Sequence, residues 1–155
     1  MVQVGDAVPR AVLSEGTPDN KIYLDKELAE GKGLVIGVPA AFSPTCSDTH
    51  IPEYIKSASL SSAGKVFVVS VNDAFVMNAW GKSLDPEKSS GIRFLADASA
   101  ALTKAWSVDF DASSVLGGVR SKRYAVTTEN GKVCAVHIEP DNTGLNVSAA
   151  RQVLG

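Results

Sequence analysis

Gly33-Leu-Val-Ile-Gly-Val-Pro-Ala-Ala-Phe-Ser-Pro-Thr-Cys46-Ser-Asp-Thr-His50 is the stretch on which the reading of this chain turns. Residues 34–38 are apolar throughout, the pattern of a strand covered on both faces of a sheet. Pro39, Ala40 and Ala41 form a small-residue turn. Ser43-Pro44 then opens a helix, with Ser43 suited to the cap and Pro44 to the first position, where a missing N–H costs nothing. Cys46 falls in the first turn, where backbone N–H groups and the helix dipole favour thiolate over thiol. Ile51, Tyr54, Ile55 and Ala58 follow on one face at helical spacing. Pro52 predicts a kink that frees the carbonyl of Asp48.

Outward from this unit the same grammar repeats. Residues 1–20 read as a docked arm with one short strand, 24–30 as a brief helix ended by Gly31, and 65–71 as a Val-rich strand. Asn72-Asp73 caps a helix over 74–84 that groups Phe75, Val76, Ala79 and Trp80. Residues 92–96 read as a strand, and Asp97 or Ser99 caps a short helix ending near Trp106. Residues 109–120 hold a Gly-Gly pair and no periodicity, the marks of a loop. Residues 123–128 and 132–138 flank Asn130-Gly131, a strong hairpin signal. A turn-rich stretch over 139–146 leads to a capped helix over 148–154. The order predicts one α/β domain over residues 1–155, with a mixed central sheet flanked by helices in the thioredoxin-like arrangement.

Composition narrows the function classes. The 155 residues are 45% hydrophobic and 21% charged with a net charge of −2, a globular profile without the basic footprint of a nucleic-acid binder. The longest apolar run is broken by Gly37 and Pro39 and is too short to span a bilayer. Residues 1–12 lack a basic segment followed by an apolar one, so no secretory signal is expected. Two cysteines without C-x-x-C spacing point to a special thiol in a reducing compartment rather than a disulfide framework. A cytoplasmic setting is expected, or a plastid or mitochondrion if a transit peptide has been removed.

The candidate chemistry centres on Cys46. A lone cysteine is often a small buried hydrophobe. Here Ser43 offers a hydroxyl three residues before the sulfur, while Asp48 opposes a thiolate and calls for a cation from elsewhere. His50 lies one turn beyond Cys46. It raises the alternatives of a Cys–His hydrolase dyad, or of a metal site completed by Cys134 and His137. Period-two alternation puts Cys134 on one strand face with Lys132, Val136 and Ile138, and so buried and inert.

Pro39-x-x-x-Ser43-x-x-Cys46 resembles the peroxiredoxin signature Pro-x-x-x-Thr/Ser-x-x-Cys. The surrounding residues are similar to the type II (peroxiredoxin-five-like) branch, as are Ser70-Val-Asn-Asp-Ala-Phe-Val-Met77, Phe94-Leu-Ala-Asp97 and Arg120-Ser-Lys-Arg-Tyr-Ala125 in the same order. The closing Glu139-Pro…Thr-Gly-Leu145 and Ser148-Ala-Ala stretches are compatible. The resemblance implies a thiol peroxidase for hydrogen peroxide and alkyl hydroperoxides, with no metal or other cofactor. It implies that Cys46 attacks the peroxide as a thiolate and becomes a sulfenic acid. It gives Ser43 the role of binding the peroxide and touching the sulfur, Pro39 that of shielding it from water, and Arg123 that of lying over it. A guanidinium suits that place physically, since it keeps its charge near neutral pH and favours a thiolate. His50 and Phe42 are then expected at the pocket mouth, and Phe42 and Phe75 at a homodimer contact. The chain departs from its relatives at Ala40, which replaces a glycine, and at Ser43, which replaces the commoner threonine. Val68 and Val147 stand where relatives carry a second cysteine. A one-cysteine mechanism is therefore expected, with glutathione, glutaredoxin or thioredoxin as reductant. The alternative from another class is a non-enzymatic redox-sensing or chaperone-like module on the same fold.

Overall fold

A computed structural model describes residues 1–155. The apolar runs form the centre of a seven-stranded sheet. Strand β1 (Val12–Glu15) and strand β2 (Thr17–Tyr23) make an N-terminal hairpin, followed by the short helix α1 (Leu24–Glu27) and strand β3 (Lys32–Val38). A π-helical turn (Cys46–His50) continues into α2 (Ile51–Lys56), and a 3-10 turn (Leu60–Ala63) precedes β4 (Lys65–Ser70). Then come α3 (Ala74–Leu84), β5 (Arg93–Ala96), α4 (Ala101–Ala105), β6 (Asp109–Asp111), α5 (Ser113–Leu116) and β7 (Val119–Ser121). Strands β8 (Tyr124–Glu129) and β9 (Lys132–Ile138) and helix α6 (Ala150–Val153) complete the chain.

The strand order is β2-β1-β5-β4-β3-β8-β9. Strands β3, β4 and β5 are parallel, and β1 and β8 join this block antiparallel. The expected mixed sheet flanked by helices is thus present. One core cluster, with Val35, Phe67, Leu102, Trp106, Tyr124 and Val126, lies on one face. The other, with Ile36, Cys46, Ile51, Tyr54, Val68, Met77 and Trp80, lies on the opposite face. The short turn at Asn130 (φ 50°) and Gly131 (φ 80°) takes the left-handed backbone that its residues favour.

Several expectations are corrected. The N-terminal arm holds a two-stranded hairpin rather than one strand. Thr17-Pro-Asp-Asn is exposed on the sheet edge, where a proline is tolerated and no apolar alternation betrays a strand. Residues 109–120 are not a bare loop, because β6 and β7 pair antiparallel as a separate ribbon. The last helix is confined to Ala150–Val153, and α2 stops at Lys56, leaving Ala58 exposed. The Asp73 cap is in place, its carboxylate accepting from the Val76 N–H at 2.8 Å. The buried face of α3 is Ala74, Met77 and Trp80, whereas Phe75 is 64% exposed. This helix is apolar nearly all round, so spacing alone leaves its rotation open. Gly81 settles it, since a Cβ there would stand 2.8 Å from the Phe94 ring.

Cys134 is exposed, not buried. Thr127 pairs with Ala135 and Thr128 with Val133, so Cys134 is the extra residue of a β-bulge. The bulge shifts the alternation by one. Val133, Val136 and Ile138 therefore share the core-facing side, and Cys134 is left on the edge strand.

Candidate active site

The sheet register brings the site together. Gly37 pairs with Tyr124, and a side chain on Gly37 would overlap the Tyr124 ring. That close approach sets Arg123, one residue before β8, beside the end of β3 where the chain turns toward Cys46. Pro39 is buried in this turn. The backbone is helical from Pro44, with the Ser47 N–H donating to the Ser43 carbonyl at 2.9 Å. The turn then widens, and the Ile51 N–H reaches back five residues to the Cys46 carbonyl. The kink expected from Pro52 takes this form, and such π turns recur at functional sites.

Cys46 is fully buried. Arg123 Nη1 donates to its Sγ at 3.2 Å, and lies 3.0 Å from His50 Nδ1. His50 Nε2 is 3.2 Å from the Ser148 carbonyl. A guanidinium only donates and a carbonyl only accepts, which assigns the ring proton to Nε2 and the lone pair to Nδ1. Burial, reinforced by the Arg123 charge, lowers the His50 pKa to about 3, so the ring is neutral at ordinary pH. Asp48 is exposed, whereas the sulfur is buried.

Arg123 is gripped from a second side. Its Nε donates to the Thr143 carbonyl at 3.3 Å, and its backbone N–H to the Asn142 carbonyl at 2.7 Å. Its own carbonyl accepts from the Glu139 N–H at 3.0 Å. The guanidinium Nη2 is left without a protein acceptor and is free for a ligand oxygen. Tyr54 donates to the Ser148 carbonyl at 2.6 Å, and burial holds its phenol well above the usual range, fixing it as a donor.

Ser43 sits in the turn, but its hydroxyl donates to the Ala40 carbonyl at 2.8 Å rather than capping the helix or bonding the sulfur. Its oxygen lone pairs remain as acceptors. Ala40 has an ordinary backbone, and Phe42 instead takes the left-handed conformation at φ 64°. That orientation leaves Phe42 53% exposed, its ring 6.4 Å from the buried Trp80. Trp80 Nε1 donates to Ser47 Oγ at 2.9 Å, and the Ala41 N–H to Asn72 Oδ1 at 3.1 Å, tying the turn to α3 and to the loop that precedes it.

Cys46, Arg123 and His50 thus meet, with Ser43, Pro39 and Phe42 around them. Cys134 does not join them. It lies opposite Thr127 and Thr128, toward the end of β8 away from Arg123, and about 15 Å along that strand from it at ordinary strand rise. His50 also fails as a hydrolase base or metal ligand, since both ring nitrogens are engaged and the ring resists protonation. The sequence by itself assigned no role to Tyr54, Ser148, Glu139 or Thr143, although the last three lie in the closing stretches that resemble the family. Tyr54 was legible only as a core residue, and nothing local distinguishes a buried Glu139 from a solvated one.

The Redoxin family model matches residues 3–154. The chain is 43% identical to Peroxisomal membrane associated protein 20 of Schizosaccharomyces pombe, with 99% of this chain and 98% of the relative aligned. It is 39% identical to Peroxiredoxin-2C of Oryza sativa subsp. japonica over 99% and 96% of the two chains. The crystal structure of reduced Prx3 in complex with H2O2 from Vibrio vulnificus superposes with a TM-score of 0.89 at 36% identity, over 99% and 98% of the chains. A buried cysteine under an arginine, on this fold and with these relatives, leaves one assignment: the chain belongs to the redoxin family, within its type II peroxiredoxins.

Proposed function

We propose that this thiol-dependent peroxidase works through Cys46 as its one redox cysteine, regenerated by a thiol supplied from outside. The observation that carries the reading is Arg123, whose Nη1 meets the sulfur at 3.2 Å while Nη2 remains free. Cys46 attacks the terminal oxygen of a hydroperoxide as a thiolate. The O–O bond breaks, the departing alkoxide or hydroxide takes a proton, and the sulfur keeps one oxygen as sulfenic acid. Nη2 of Arg123 holds the peroxide in line, and Ser43 Oγ accepts the peroxide O–H, its own proton being committed to Ala40. Pro39 and the rim at Phe42 keep water from the sulfur, and neutral His50 orients the arginine.

Reduction then comes in trans. A glutathione, glutaredoxin or thioredoxin thiol attacks the sulfenic sulfur, water leaves, and a second thiol releases Cys46. The exposed Phe42 and Phe75 support a homodimer through the face beside the pocket. A reducing compartment fits the cysteine usage. No helix is long and apolar enough to cross a membrane.

The test combines turnover and mass. Peroxide consumption with a glutaredoxin or thioredoxin system is expected to vanish in Cys46→Ser and to persist in Cys134→Ser. Intact mass after one equivalent of peroxide is expected to show a sulfenate, or a single glutathione adduct when glutathione is present. Loss of two hydrogens, the signature of an internal Cys46–Cys134 bridge, would overturn the one-cysteine mechanism. Full activity in Cys46→Ser would overturn the whole reading.

A further inference from the structure

Glu139 is buried, carries its charge, and touches neither Cys46 nor the peroxide site. Its Oε2 accepts three hydrogen bonds, from the Asn146 N–H at 2.8 Å, the Ser148 N–H at 2.9 Å and Ser148 Oγ at 2.7 Å. Burial works against the carboxylate, yet these donors outweigh it and keep its pKa below the usual range. A buried anion with three donors is a strong, directional anchor. Here it closes the segment from 139 to 148 on itself. Within that segment Asp141 Oδ1 accepts from the Gly144 N–H at 2.9 Å, and a Cβ on Gly144 would strike that carboxylate.

The closed segment holds the reacting centre. Its carbonyls at Asn142 and Thr143 take the backbone N–H and the Nε of Arg123. Its carbonyl at Ser148 takes Tyr54 Oη–H and His50 Nε2–H. Apart from the sulfur itself, every side-chain contact that orients the Arg123 guanidinium runs through this segment or through His50, which the segment fixes. We infer that Glu139 is a positioning residue for the peroxidase reaction. Its carboxylate sets the Ser148 carbonyl, which selects the His50 tautomer, and that tautomer presents a lone pair to Arg123 over Cys46. This rests on the peroxidase reading above and adds a residue that acts through others.

Two measurements on the purified full chain test it: the second-order rate of Cys46 oxidation by hydrogen peroxide, and the thiolate absorbance at 240 nm against pH in a Cys134→Ser background. Glu139→Ala is expected to slow oxidation by about 10- to 100-fold, since a displacement of about 1 Å at a reacting centre has effects of that size. It is also expected to move the thiolate titration to higher pH. Glu139→Gln keeps an oxygen at the Oε2 position and is expected to recover most of the rate. Ser148→Ala removes one of the three donors to the Glu139 carboxylate, and Tyr54→Phe removes the second donor that fixes the Ser148 carbonyl; both are expected to shift the titration in the same direction. They carry the test if Glu139→Ala does not fold. Val133→Ala, on the opposite core face, is expected to lower Tm while leaving rate and titration unchanged. The inference is overturned if the variants at 139, 54 and 148 lose Tm like Val133→Ala yet keep wild-type rate and titration. That result would leave the role of Cys46 intact, which only Cys46→Ser addresses.

Discussion

His50 shows how a single side chain is given its role by its neighbours. In the unfolded chain an imidazole takes a proton near pH 6.5, whereas burial and Arg123 delay this to about 3 in the fold. Between those values the unfolded state binds more protons than the native state. Stability therefore falls as pH drops from 6.5 toward 3, with a limiting slope of about 1.4 kcal/mol per pH unit from this group. Glu139, also held below its usual range, loses stability in the same acid direction. Urea unfolding at pH 7 and pH 5 is expected to show the loss, and His50→Gln to flatten it. Equal slopes in the two proteins would remove His50 as the cause. Arg123 is equally particular. A lysine has one compact charge and cannot serve Sγ, His50 Nδ1 and the Thr143 carbonyl together. Arg123→Lys is expected to slow Cys46 oxidation by about 100-fold in stopped flow, with the fold retained.

At the level of elements, two local irregularities place the two cysteines. The π turn beside Pro52 carries Cys46 and His50 in adjoining turns, so both meet one guanidinium nitrogen. The bulge in β9 takes Cys134 out of the core and leaves it on the edge strand. Helix α3 owes its rotation to Gly81 against Phe94 and its start to Asp73. Gly81→Ala pushes a methyl into that ring. It is expected to cost about 1–3 kcal/mol in chemical denaturation, the usual range for overpacking. A neutral result would mean that α3 can shift away from the sheet. Since Trp80 holds Ser47 from the same helix, such a shift would reach the active-site turn.

The whole molecule is a sheet with two core faces, and the site lies where β3 ends and β8 begins. That placement leaves Phe42 and Phe75 on the outside, at 53% and 64% exposure, although both are large and apolar. The proposed dimer would cover these two rings, since exposed apolar surface commonly marks an interface. Sedimentation is expected to give a dimer for the wild type and a monomer for Phe75→Glu. A wild-type monomer at tens of micromolar would remove the dimer proposal.

Much of this was legible in the chain itself. Strand β3, the Asp73 cap, the Asn130-Gly131 turn and the helical start around Cys46 all follow from rules acting over a few residues: burial pattern, capping and left-handed turns. Arg123 could be named only because a sequence motif surrounds it, since nothing local marks a strand arginine as a thiol partner. Tertiary structure decided the rest. Arg123 and Cys46 are 77 residues apart, and His50 and Ser148 are 98. Whether such groups meet depends on sheet register, which Gly37 against Tyr124 fixes and which a one-residue bulge can shift. The exposure of Cys134, the rotation of α3 and the anchoring charge of Glu139 each turn on that packing. The sequence determined which residues could carry thiol chemistry, and the register of the sheet decided which of them stand within hydrogen-bond reach of the sulfur.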